Sequence, residues 1–112
     1  MKKIFFLSFL LLIGFGSRLY SQKVFSTEYE SQAQIKVYVV DYESQADLKV
    51  YKVDYESQAN KDGLWYFVKY ESQANKKIYF VKYESQADLK IYFVKYESQA
   101  GWNNNSKIYL LK

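Results

Sequence analysis

The chain is expected to fold as a mostly β, compact ring of seven short strands. Three observations predict this: a 13-residue unit recurs along it, each unit holds one β-branched and aromatic run, and the segments between runs are short. A β-solenoid built from the same strands is the alternative, with an antiparallel meander as a third choice. The motif YESQA starts at Tyr29, Tyr42, Tyr55, Tyr70, Tyr83 and Tyr96, at spacings of 13, 13, 15, 13 and 13 residues. One run precedes each copy and another follows the last, giving seven strands and six connectors.

The repeats begin after a different kind of segment. Lys2 and Lys3 form a basic start, Ile4 to Phe15 are almost continuously apolar, and a small and polar stretch, Gly16 to Ser21, follows. This reads as a secretory signal over residues 1–21, followed by a repeat domain over residues 22–112. The apolar stretch falls short of the roughly 20 residues that span a bilayer, so no stable membrane anchor is expected after cleavage. A lipid anchor on cysteine is excluded because the chain has no Cys. Cleavage is placed after Ser21, although Leu19 departs from the small-residue preference three positions before that bond.

The seven runs are KVFSTE, KVYVVD, KVYKVD, LWYFVK, KIYFVK, KIYFVK and KIYLLK, the last covering residues 107–112. Their first column holds Val24, Val37, Val50, Trp65, Ile78, Ile91 and Ile108, and the next holds Phe25, Tyr38, Tyr51, Tyr66, Tyr79, Tyr92 and Tyr109. Such residues between polar clusters favour strands. With alternate side chains on opposite faces, Tyr51, Val53 and Tyr55 share one face, and Val50, Lys52 and Asp54 share the other. The Tyr51 face is apolar or aromatic in nearly every copy and is expected to line the core. The other face becomes apolar only where Phe67, Phe80 and Phe93 replace Ser26 and Lys52, so deeper cover is expected in the later copies.

A connector of about seven residues reaches about 23 Å when extended. That is enough to return along a six-residue strand of about 20 Å and start a parallel one, but it is too short for an ordinary helical crossover. The alanines at 33, 46, 59, 74, 87 and 100 suggest a close packing contact. Ser44 with Asp47 and Ser85 with Asp88 read as capping pairs for at most one helical turn. NKDG (60–63) and GWNNNS (101–106) interrupt the period with turn residues.

The residue before each connecting tyrosine carries information about strand order. It is Glu28, Asp41 and Asp54 in the first three units, Lys69, Lys82 and Lys95 in the next three, and Lys112 in the final run. Sequential neighbours would place like charges together. Winding twice around seven positions gives the order 1, 5, 2, 6, 3, 7, 4, in which only Lys112 and Lys69 are like neighbours. Such a path is a torus knot. The six YESQA copies, the strands of K-[VI]-Y type and Gly101-Trp102 together resemble the 7(1) septoil knot domain family over residues 22–112. The resemblance implies a small, exported, knotted β domain of uncharacterised biochemical function.

Composition narrows the chemistry. Of 112 residues, 13 are Tyr, 8 Phe and 2 Trp, with no Cys, His or Pro, which excludes disulfides, thiol nucleophiles, imidazole bases and zinc sites. The formal charge of +4 owes much to Lys2, Lys3 and Arg18; without residues 1–21 it falls to +1 and no Arg remains, so no nucleic-acid partner is expected. Glu30, Glu43, Glu56, Glu71, Glu84 and Glu97 sit identically in every unit, whereas an active site is normally one asymmetric constellation. Neither the spacing of a calcium loop nor any other metal or cofactor motif is present. The chain is therefore expected not to be an enzyme and to use no cofactor.

If the domain has a binding site, the symmetry-breaking residues are where to place it: Trp102, Asn103, Asn104 and Asn105, with Trp65 at the other irregular connector. The tyrosine columns are a further candidate surface for sugars or protein. The expected role is that of a robust secreted or periplasmic structural or interaction module, monomeric, with its partner unknown. A curli-like fibre-forming matrix protein is the alternative, and a carbohydrate- or protein-binding module a further one.

Overall fold

The computed structural model describes residues 22–112; the signal segment expected over residues 1–21 lies outside the described residues. Six strands form a closed parallel ring: β1 (Gln22–Ser26), β2 (Ile35–Val39), β3 (Leu48–Lys52), β4 (Leu64–Phe67), β5 (Lys76–Phe80) and β6 (Leu89–Phe93). Around the ring the order is β1, β5, β2, β6, β3, β4 and back to β1. The interleaving expected from the charge column is present, and β5 separates β1 from β2.

The seventh position differs from expectation. Strand β7 is the two-residue Gly101–Trp102, antiparallel to the start of β3 through Leu48–Trp102 and Lys49–Gly101. The run KIYLLK, expected as a strand, instead lies in the 3-10 helix Asn105–Leu111. Asn104 starts that helix by accepting a hydrogen bond from the Ser106 amide at 3.1 Å, a capping signal that outweighs the β-branched start of the run. Leu111 is buried in the core and Leu110 packs beside it.

Pairing is staggered by two residues at every step: Val24 lies opposite Lys76, Ile35 opposite Ile78, Val37 opposite Leu89, Leu48 opposite Ile91, Tyr51 opposite Leu64 and Gln22 opposite Trp65. At ~3.3 Å per residue and ~4.8 Å between strands, this tilts the strands ~54° from the ring axis, steeper than most barrels. The constant stagger also brings equivalent residues of all six strands to one height. Val24, Ile78, Val37, Ile91, Val50 and Trp65 form the central layer, each at most 1% exposed. On the strand-start side lie buried Gln22, Ile35, Leu48 and Leu89, and the 3-10 helix covers that end. Lys76 Nζ donates to the Lys112 carbonyl oxygen at 2.9 Å, and Lys107 Nζ to that of Asp88 at 3.0 Å.

The core face is therefore the Val50 face, and the expectation that the Tyr51 face lines the core is corrected. A steep ring of six strands takes branched aliphatic side chains inward, whereas a tyrosine on the outer side keeps its hydroxyl in water. The outer face is covered in part by the connectors: Val53, Ala59 and Leu64 form a small second cluster with Tyr51, Tyr66 and Ala100 around it. The expected increase in cover among later copies is seen, since Phe67, Phe80 and Phe93 pack on the core while Ser26, Val39 and Lys52 are exposed.

Each connector makes one short 3-10 turn over its Glu-Ser-Gln, within the single turn expected. The capping role expected for the following acid is corrected. Asp47 and Asp88 bind the neighbouring strand, accepting from the Lys90 and Lys36 amides at 2.9 Å, while their own amides donate to the same residues' carbonyls at 2.7 Å. Asn75 and Gln34 do the same with Lys23 and Lys77. Side chains thus extend the ladder past the first strand residue.

Three substitutions test this architecture. Ile78→Ala, in the central layer, is expected to cost about 2–5 kcal/mol in urea unfolding. Gly63 has φ +94° and an added Cβ would lie 2.8 Å from the Lys49 carbonyl oxygen, whereas Gly101 has no atom within 4 Å of that position. Gly63→Ala is therefore expected to destabilise by about 1–3 kcal/mol, and by more than Gly101→Ala in the same measurement.

Candidate functional site

Because the six strands are parallel, all of them end at one rim, and each next connector begins there with a tyrosine. Tyr29, Tyr42, Tyr55, Tyr70, Tyr83 and Tyr96 are 61–67% exposed. Their backbones are alike, with φ between −121° and −130° and ψ between 120° and 145°. The rest of the YESQA motif has visible structural work. The Gln side chain accepts from the tyrosine amide at 3.0 Å in Tyr55–Gln58 and 3.3 Å in Tyr96–Gln99. The Gln amide donates to the tyrosine carbonyl and the Ala amide to the Glu carbonyl in every copy, closing the turn.

The glutamates pair with strand lysines: Glu30–Lys36, Glu43–Lys49, Glu71–Lys77 and Glu84–Lys90, at 3.0–3.7 Å. Glu56 has Leu64 where the other copies have lysine, and pairs instead with Lys23 of β1 at 3.3 Å. All are exposed pairs, each contributing about 0–1 kcal/mol. The tyrosine rings take no part in these interactions.

Inside the tyrosines lies the upper layer of the ring, in which Phe80, Phe93 and Phe67 alternate with Ser26, Val39 and Lys52. Lys52 bridges its two neighbours, with Nζ 4.7 Å from the Phe93 ring centre and 5.4 Å from that of Phe67. Phe67 also meets buried Trp65 edge to face, at 6.1 Å between ring centres. The charge column completes the rim. In spatial order it reads Glu28, Lys82, Asp41, Lys95, Asp54, Lys69, with every residue exposed and every neighbour of opposite sign. Among the described residues, Lys–Glu pairs join the strands to the connectors.

The arrangement of one repeated unit in an interleaved ring, wound around a double circuit, decides the kinship. The chain belongs to the 7(1) septoil knot domain family. That domain's sequence profile matches residues 21–103. No curated protein and no solved structure matches the chain. The septoil knot match covers the ring and β7 but stops before the 3-10 helix that closes the strand-start end.

The symmetry-breaking residues sit at that other end of the septoil knot. Trp102 donates from Nε1 to Asp62 at 2.7 Å, and Gln22 donates to the second oxygen of Asp62 at 2.6 Å. Asn103 donates to the carbonyls of Glu43 and Ala46, both at 3.1 Å, and Asn104 to the Asp47 carboxylate at 3.1 Å. Asn105 opens the 3-10 helix and is exposed. Trp65 is 0% exposed in the core, so the structure does not bring it together with Trp102 and the asparagines as one surface. Its Nε1 is buried without a hydrogen-bond partner.

Asp62 was not singled out by sequence because an acid in a turn usually faces water. The detectable signal was its place in the one connector of 15-residue spacing. Among the described residues no acidic cluster is arranged to hold a metal ion, and no helix is long and apolar enough to cross a membrane.

Asp62→Ala leaves two donors, on Gln22 and Trp102, without their acceptor and is expected to cost about 2–6 kcal/mol in urea unfolding, at about 1–3 kcal/mol per orphaned group. Asp62→Asn retains one carbonyl oxygen and is expected to lose less. Trp102 fluorescence should shift in the native state of the alanine variant while Trp65 remains buried.

Proposed function

We propose that this septoil knot domain is an exported, robust structural or interaction module, not an enzyme, whose working surface is the tyrosine rim. The observation that carries the reading is the set of six tyrosines, repeated in every unit and each about two-thirds exposed. Solvent-exposed aromatic rings repeated around one rim are poor investments in stability and good contact surface, since tyrosine joins a flat apolar body to a polar tip. The identically placed glutamates support a non-catalytic reading, five of the six being engaged by strand lysines.

Export is supported by the basic and apolar pattern of residues 1–21. The fibre reading is the weaker one, because each of the six ring strands is already paired on both sides and has no long edge to offer. A nucleic-acid role is disfavoured by a rim of alternating sign and by the lack of Arg beyond Arg18.

Two measurements test the proposal. Expressed from its full sequence in a bacterium, the protein is expected outside the cytoplasm with a mass reduced by the first 21 residues; uncleaved cytoplasmic protein contradicts export. Replacing Tyr42, Tyr55 and Tyr83 together with Ser is expected to leave the urea midpoint nearly unchanged, at about 0.5 kcal/mol or less per site. A variant that unfolds would make the tyrosines structural and remove the basis for an interaction surface.

A further inference from the structure

The rim carries a pattern that specifies its partner. We infer that it is a self-association surface whose occupant is a second copy of this chain, docked rim to rim about a two-fold axis. The inference rests on the tyrosine rim being the working surface.

The first argument is charge complementarity. Glu28, Lys82, Asp41, Lys95, Asp54 and Lys69 alternate without exception around six positions, and all are exposed. A two-fold rotation perpendicular to the ring axis reverses the order of positions. Placing one acid opposite one lysine then places all six acids and lysines of one copy opposite their counterparts in the other, as an isologous interface requires. An odd ring of seven would have contained a Lys69–Lys112 neighbour pair, and no two-fold would match every charge.

The second argument is apolar surface. The same rim exposes the six tyrosines and Val39, with half-buried Phe67, Phe80 and Phe93 inside them. Tyrosine and phenylalanine are enriched at protein interfaces. A polyanion or polycation would meet as many repelling as attracting charges. The other end of the ring is closed by the 3-10 helix and differs from the rim, so association stops at two copies instead of continuing as a filament.

The test is sedimentation velocity on the purified exported protein from about 1 μM to 1 mM, at about 0.02 M and 0.5 M salt, since screening lengths differ several-fold between them. The expected result is a concentration-dependent dimer whose dissociation constant rises at least ~10-fold at high salt. Two rim variants then locate the interface: Lys69→Glu with Lys82→Glu and Lys95→Glu, and separately Glu28→Lys with Asp41→Lys and Asp54→Lys. Each is expected to be monomeric alone, and their equimolar mixture to form a heterodimer. Circular dichroism checks folding; if a triple variant does not fold, Lys82→Glu alone is expected to weaken the dimer at least ~3-fold.

A wild-type monomer over the whole range overturns the inference, as does a dimer indifferent to the rim changes. Rim binding of cellohexaose by a monomer overturns it in favour of a glycan. If the tyrosine-to-serine variant is stable and the wild type monomeric, only this inference fails and the interaction reading stands.

Discussion

The constant two-residue stagger between neighbouring strands is the constraint on which the rest of the fold depends. It makes equivalent residues of six strands share a height, so one repeated sequence column becomes one layer of the core. A branched aliphatic residue at the Val24 column therefore meets four others like it, with Trp65 filling the larger share on β4. The steep tilt that comes with the stagger also explains the connector length. A tilted strand climbs little along the axis, and a short YESQA turn suffices to bring the chain back down outside the ring. Near-identity of the repeats is the natural result, because each unit faces nearly the same surroundings and the same local choice is favourable in every copy.

A ring so staggered leaves backbone donors and acceptors at the strand starts beyond the reach of the neighbouring strand. The residue after QA solves this in four places. Asp47, Asp88, Asn75 and Gln34 each give a backbone amide to, and accept a backbone amide from, one lysine of the next strand. The side chain imitates the missing peptide, which is the usual remedy for buried backbone groups without a ladder partner. Where the repeat is broken, the Gln22 side chain serves the Gly63 amide in this way and is itself held by Asp62, which also accepts from Trp102.

Strand existence and spatial order were legible in the sequence, for different reasons. Strands follow from β-branched and aromatic runs between polar turns. Order follows from the column of Glu28, Asp41, Asp54, Lys69, Lys82 and Lys95, even though the fold forms its ion pairs elsewhere; avoiding like neighbours was information enough. Face assignment failed because both faces are rich in apolar residues, and counting aromatics favoured the tyrosine side. What decides is curvature, which a single strand does not display. The last run failed because KIYLLK matches KIYFVK closely, whereas its fate is set upstream by Asn104 capping a helix and by Trp102 anchored on Asp62. The tyrosine rim could be seen as a column but not as a crown, since its place depends on all strands being parallel.

The broken repeats follow from parity. The chain advances two positions per unit, from β1 past β5 to β2, and past β6 to β3. In a ring of seven positions that step visits every place before returning. In a ring of six it would return to β1 after three strands and collide with it. The chain avoids this with one single-position step, from β3 to β4, and this is where the 15-residue spacing and NKDG occur. The seventh position survives only as β7, wedged beside the first half of β3 while β4 pairs with its second half. Three chain segments converge there on Gly63, whose missing Cβ leaves room for the Lys49 carbonyl, with the Gly101 amide 3.0 Å from the same point. A side chain would push β7 and β4 apart and leave the end of β3 unpaired. The two irregular connectors are thus one device: NKDG makes the odd step, and GWNNNS fills the half-position that the odd step leaves open.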